Sequence, residues 1–196
     1  MTRQIAILLF DVVEELDAVG PWEVLSWWTR NHPGDGWSVS TIAASCEPVR
    51  CAKGMHIVPD HAIGDLSGID VLVHPGGFGT RALMQDEGHL NWLRELAENA
   101  TLMTSVCTGA LCFAAAGLLA GRPATTHWEA MDLLRATDPT IEPRPDDRYV
   151  DDGDVITSAG VSAGIDMALH LVRRLAGTDR ARETRRAIQY DPQPPV

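Results

Sequence analysis

Lysine is nearly absent from this chain of 196 residues: Lys53 stands alone beside fifteen arginines. Positive charge is scarce altogether, with sixteen basic against twenty-seven acidic side chains and a formal charge of -11. Such a surface repels phosphate backbones and anionic lipid, which argues against nucleic acid or a membrane as the main partner. The Arg-rich stretch Asp179–Tyr190 is too short and too isolated on an acidic chain to reverse this. Long apolar runs are also missing. The longest early one, Ile5–Phe10, has six residues and leads into Asp11, Glu14, Glu15 and Asp17. A spanning helix needs roughly 20 apolar residues, and a signal peptide needs a longer apolar region with a small-residue cleavage site. A cytoplasmic protein is expected. Cysteine is limited to Cys46, Cys51, Cys107 and Cys112, with no Cys-x-x-Cys pair, so reduced thiols are expected. None of the seven histidines has ligand spacing of the His-Glu-x-x-His kind, and no metal is implied.

What is present is ordinary globular material, 45% apolar and 22% charged, in a length that predicts one domain over 1–196 with a Pro-rich tail at 191–196. Short apolar runs alternate with helical patterns, the mark of βα units around a mainly parallel sheet. Strands are expected at Ile5–Phe10, Trp37–Ala43, Asp70–His74, Thr101–Val106, Ala124–Thr126 and Val155–Ser158. A hairpin is expected between Cys46 and Pro59 around Lys53-Gly54. Helices are expected from Pro21 through Trp28, then at Leu83–Ala97, Gly109–Leu119, His127–Ala136, Ser162–Leu175 and Asp179–Tyr190, with 142–154 an acidic surface loop.

One junction carries chemistry. In Thr104-Ser105-Val106-Cys107-Thr108-Gly109-Ala110 an apolar strand stops and a helix starts on small residues, so Cys107 falls on a tight turn with nucleophile-elbow geometry. Helix N–H groups facing the thiol favour the thiolate by up to ~2 kcal/mol, about 1.5 pKa units. From about 8.5 that reaches only near neutrality, so another group must help. A buried structural cysteine is the alternative reading. Pro75-Gly76-Gly77 ends a strand and exposes backbone N–H groups; with the N–H of Thr108, those of Gly76 and Gly77 would form an anion hole, and a plain tight turn is the alternative. Glu14 and Glu15 read as solvated loop charges between the first strand and first helix. Asp17 lies in the same segment among Leu16, Ala18 and Val19, where apolar surroundings raise a carboxyl pKa and suit it to donate or share a proton. Cys112, on an apolar helix, reads as a core thiol. His127-Trp128-Glu129 imitates a His-x-Glu triad pair but follows Cys107 too closely, and reads as a helix start with packing and capping roles.

These stretches resemble the ThiJ/PfpI family of the class I glutamine amidotransferase-like superfamily, most closely its isonitrile-hydrating members. The resemblance rests on Leu16-Asp17-Ala18-Val19-Gly20-Pro21, Pro75-Gly76-Gly77, Thr104–Gly109, Ala124–Trp128, Ala159–Asp166 and Tyr190–Pro195, and runs from about residue 4 to the end. It implies a flavodoxin-like α/β sandwich forming a homodimer with sites near the interface. It implies Cys107 as nucleophile, Asp17 as acid/base partner, Thr108 as a hydrogen-bonding neighbour, and Gly160-Val161 flanking the same pocket. A small-molecule substrate and no cofactor follow. Two other functions are carried: a glyoxalase-type hydratase, a group that generally uses Glu where this chain has Asp17, and a non-catalytic sensor domain of the kind fused to helix-turn-helix regulators. Thr108, where protease-like members carry His, argues against peptidase chemistry.

Overall fold

The computed structural model describes residues 2–66, 68–99 and 101–192. In chain order the elements are β1 (Arg3–Leu8), α1 (Glu15–Asn31), β2 (Trp37–Ala43), β3 (Val49–Arg50), β4 (His56–Ile57), β5 (His61–Ala62), β6 (Val71–His74), α2 (Thr80–Leu83) and α3 (Glu87–Glu98). Then come β7 (Leu102–Val106), α4 (Gly109–Ala115), β8 (Pro123–Ala124), α5 (Met131–Thr137), β9 (Glu142–Pro143), β10 (Tyr149–Asp151), β11 (Val155–Ser158), α6 (Ala163–Ala176) and α7 (Thr178–Ala187). Seven strands form one sheet in the order β10-β11-β7-β6-β1-β2-β5, parallel throughout except for β10. Alternation along β1 sends Ile5 and Ile7 to one face and Ala6 and Leu8 to the other. Ile5 and Ile7 join Val24, Leu25, Trp28 and Leu171 in the layer of α1 and α6. Ala6 and Leu8 join Leu72, Leu111 and Phe113 in the layer of α3 and α4. This is the α/β sandwich that the alternating pattern predicts. Among the described residues no helix is long and apolar enough to cross a membrane.

Several boundaries differ from those expected, each for a local reason. α1 starts at Glu15, so Pro21 lies inside the helix and Glu15 and Asp17 occupy its first turn. Pro21 lies where α1 crosses α6 closely. Gly20 faces Ile165, and Pro21 lies 3.4 Å from where a Cβ on Gly164 would sit. Asp86 caps α3 by accepting from the N–H groups of Gly88 and His89, which splits the expected Leu83–Ala97 helix in two. α4 ends at Ala115 because Gly117 follows at φ 81°. The acidic stretch 142–154 is not simply a loop: it contains β9 and the antiparallel edge strand β10. Residues 193–196 of the Pro-rich tail lie outside the described residues.

Candidate active site

The C-terminal ends of β1, β6, β7 and β11 lie side by side, and the segments leaving them converge. Cys107 leaves β7 with φ 57°, a left-handed conformation that a side chain resists. Its neighbours hold it there. Its N–H donates to the carbonyls of Ser158 (3.0 Å) and Ala159 (3.2 Å), and its carbonyl accepts from the Thr126 hydroxyl at 2.7 Å. Strain secured from both sides is the expected form of a functional turn. Val161, on the loop after β11, has φ 50°, an outlier for a β-branched residue. The backbone N–H groups of Thr108 and Val161 act on the Cys107 sulfur and favour its thiolate.

Asp17 is fully buried. Its Oδ2 accepts from the N–H of Gly76 at 2.9 Å. Its Oδ1 is buried with no hydrogen-bond partner of good geometry, and the thiol beside the carboxyl is that of Cys107. Burial pushes Asp17 up to about 7, a rise that the Gly76 N–H opposes. Burial and the Asp17 charge push the Cys107 thiol up to about 12, opposed by the N–H groups of Thr108 and Val161. Between those limits the two groups hold one proton as a pair. Helix α4 therefore does not prevail over burial, and the thiolate depends on the proton residing on Asp17.

The structure brings Cys107, Asp17, Thr108, Gly76, Gly77, Gly160 and Val161 together but corrects one assignment. The N–H groups of Gly76 and Gly77 are not free to form an anion hole. That of Gly76 is used by Asp17, and that of Gly77 donates to the Thr108 hydroxyl at 2.9 Å. The donors facing the sulfur are Thr108 and Val161, and Val161 could be found from sequence only through the resemblance. Glu14 and Glu15 are not simply solvated either, since both pair with Lys53 at the hairpin tip. His127 caps the turn after it by accepting from the N–H of Glu129 at 3.3 Å. Its ring fills the space above Gly160, where a Cβ would come within 2.2 Å of it.

A cavity of about 230 Å³ opens over Cys107 and Thr108, walled by Phe78, Arg81, His127 and Val161. It suits a small substrate, and Phe78 at its side remains 75% exposed. A larger cavity of about 540 Å³ lies elsewhere, beside Phe10, His89 and Trp92, and does not reach Cys107.

Comparison with known proteins gives a consistent result. The chain is 41% identical over 196 residues to isonitrile hydratase from Pseudomonas putida, covering all of this chain and 82% of that protein. It is 34% identical to the HTH-type transcriptional regulator CdhR of Pseudomonas aeruginosa, over 88% of this chain and 49% of the regulator, about half its length. Among solved structures, a THiJ/PfpI family protein from Pseudomonas syringae superposes with a TM-score of 0.87 at 34% identity, covering 100% of this chain and 78% of that one. Residues 3–174 match the DJ-1/PfpI family, and the chain belongs to it.

Proposed function

We propose that this protein hydrates an isonitrile, R–N≡C, to the N-substituted formamide. The observation that carries the reading is the buried Asp17 carboxyl set beside the Cys107 thiol, in a chain 41% identical along its whole length to an isonitrile hydratase. With the shared proton on Asp17, the Cys107 thiolate attacks the terminal carbon and Asp17 protonates that carbon, giving the thioimidate R–N=CH–S–Cys107. The Asp17 carboxylate then takes a proton from an attacking water and passes it to the nitrogen. When the thiolate leaves, the hydroxyl proton returns to Asp17 and the formamide is released. The N–H groups of Thr108 and Val161 stabilise the sulfur whenever it carries charge. No step requires a cofactor.

The test is purified protein assayed side by side with an alkyl isonitrile and with methylglyoxal. Formamide production that depends on Cys107 is expected. Turnover of methylglyoxal alone would favour a glyoxalase-type activity. Turnover of neither would favour the sensor role, which the likeness to a transcriptional regulator supports.

A homodimer is part of the same proposal. On α1, Trp28 is fully buried while Trp22 and Trp27 are half-buried, and the helix packs on α6 and α7. Leu16 and Val19 on α1, with Met55 and Val58 at the hairpin of β3 and β4, are exposed apolar residues that would support the dimer. Light scattering is expected to give twice 21.3 kDa at micromolar concentration, and a monomer would refute the dimer.

A further inference from the structure

We propose a zinc site, distinct from the Cys107 site, formed by His74, His89 and Cys112. Its residues come from the end of β6, the first turn of α3 and the middle of α4, and their ligand atoms all lie within 4.8 Å of one another. His74 and Cys112 are fully buried. The hydrogen bonds dictate which atoms are offered. The Pro75 carbonyl can only accept, so His74 carries its proton on Nδ1, which donates to that oxygen at 2.8 Å. A neutral His74 then presents the lone pair of Nε2, which faces Nε2 of His89 at 3.0 Å. A backbone carbonyl that fixes the tautomer of a ligating imidazole is the usual outer shell of a metal site. The His74 ring is also held in place by Phe10 and Phe113, with ring centroids 5.6 and 5.7 Å away.

The donor set selects the metal class. Two imidazoles and a thiol suit a borderline-soft ion with no geometric demand of its own, whereas magnesium and calcium take oxygen ligands. Zn–N bonds of about 2.0–2.1 Å at a tetrahedral angle span ~3.3 Å, so the two Nε2 atoms need to open by only a few tenths of an ångström. The sulfur must close on them by up to about 1.2 Å, given a Zn–S bond of about 2.3 Å. Three protein ligands leave a fourth position for water. His89 also lines the cavity of about 540 Å³, which gives the ion a way in. Binding releases the Cys112 thiol proton and moves the His89 proton from Nε2 to Nδ1. Sequence spacing does not reveal the site because the fold, not a local motif, brings the three residues together.

Cobalt(II) is the probe, since it occupies zinc sites and reports a thiolate ligand by a near-ultraviolet charge-transfer band. Titration of the reduced full-length protein is expected to show that band, saturating at one ion per chain and abolished by added zinc. It should persist in Cys107→Ser and disappear in both Cys112→Ser and His89→Ala. His89 lies on the partly exposed side of α3, so His89→Ala decides the question if Cys112→Ser fails to fold, with circular dichroism confirming the fold. Absence of the band in the wild-type protein would overturn the site. So would its survival in His89→Ala, or its loss in Cys107→Ser.

Discussion

Asp17→Asn should hydrate an alkyl isonitrile ~100-fold or more slowly than the wild-type protein, the scale on which removal of a general acid is felt. The amide can keep the Gly76 contact through its oxygen, but it supplies no proton of suitable acidity. Asp17→Glu keeps the acid, displaced by one methylene, and should retain part of the activity. The wild-type pH profile follows from the shared proton. Below about 7 both groups are protonated and the thiol is no nucleophile; turnover should rise as pH passes about 7, when the pair loses its first proton. Stability should move the other way. The carboxyl is raised in the fold from its ordinary 3.8 to about 7, so the stability linked to its proton is fully present below about 4 and is lost by about 7. Asn has no such titration. Asp17→Asn should therefore melt increasingly above the wild-type protein between about pH 4 and 7, with a constant gap beyond. An Asp17→Asn protein that turns over isonitrile near the wild-type rate would remove Asp17 from the mechanism.

Gly76→Ala should be nearly as damaging without removing any reacting group. A Cβ at position 76 would come within 2.5 Å of the Thr108 nitrogen, 2.7 Å of the Thr108 hydroxyl and 2.8 Å of Asp17 Oδ2. Something has to move, and the three nearest atoms all belong to the site. Displacement by about 1 Å is enough for a 100-fold loss, and overpacking of this kind costs about 1–3 kcal/mol. In a chain of this length that lowers the melting temperature by roughly 2–12 °C. Gly34→Ala is the control, since nothing lies within 4 Å of its Cβ position; it should leave both activity and melting unchanged. Wild-type activity in Gly76→Ala would show that the packing around Asp17 and Thr108 is slack.

The legible parts of the sequence were those where local signals and tertiary packing agree. β2 and β11 fall on the expected residues because their apolar runs are cut off sharply by polar or glycine-containing turns. The Cys107 turn was readable because strand, thiol and small-residue helix follow one another without a gap. α1 begins before Pro21, although a proline is a strong helix-start signal, and Pro21 is the seventh residue of the helix. β10 was invisible in composition because its charge is satisfied across the fold. Asp151 on that strand pairs with His170 at 2.6 Å and Arg174 at 2.8 Å on α6. The occupied N–H groups of Gly76 and Gly77 were beyond reach for the same reason, since their partners lie 59 and 31 residues away.

Those separations bear on how the protein acquires its chemistry as it folds. Asp17, Gly76, Cys107 and Val161 follow four different strands, β1, β6, β7 and β11, and each must arrive on a different crossover of a parallel sheet. The entropy of closing such loops is met only when β1, β6, β7 and β11 are paired. A nascent or partly unfolded chain therefore carries Cys107 as an ordinary thiol, with neither a proton-sharing partner nor a forced left-handed turn. Its nucleophilic character is a property of the completed sheet.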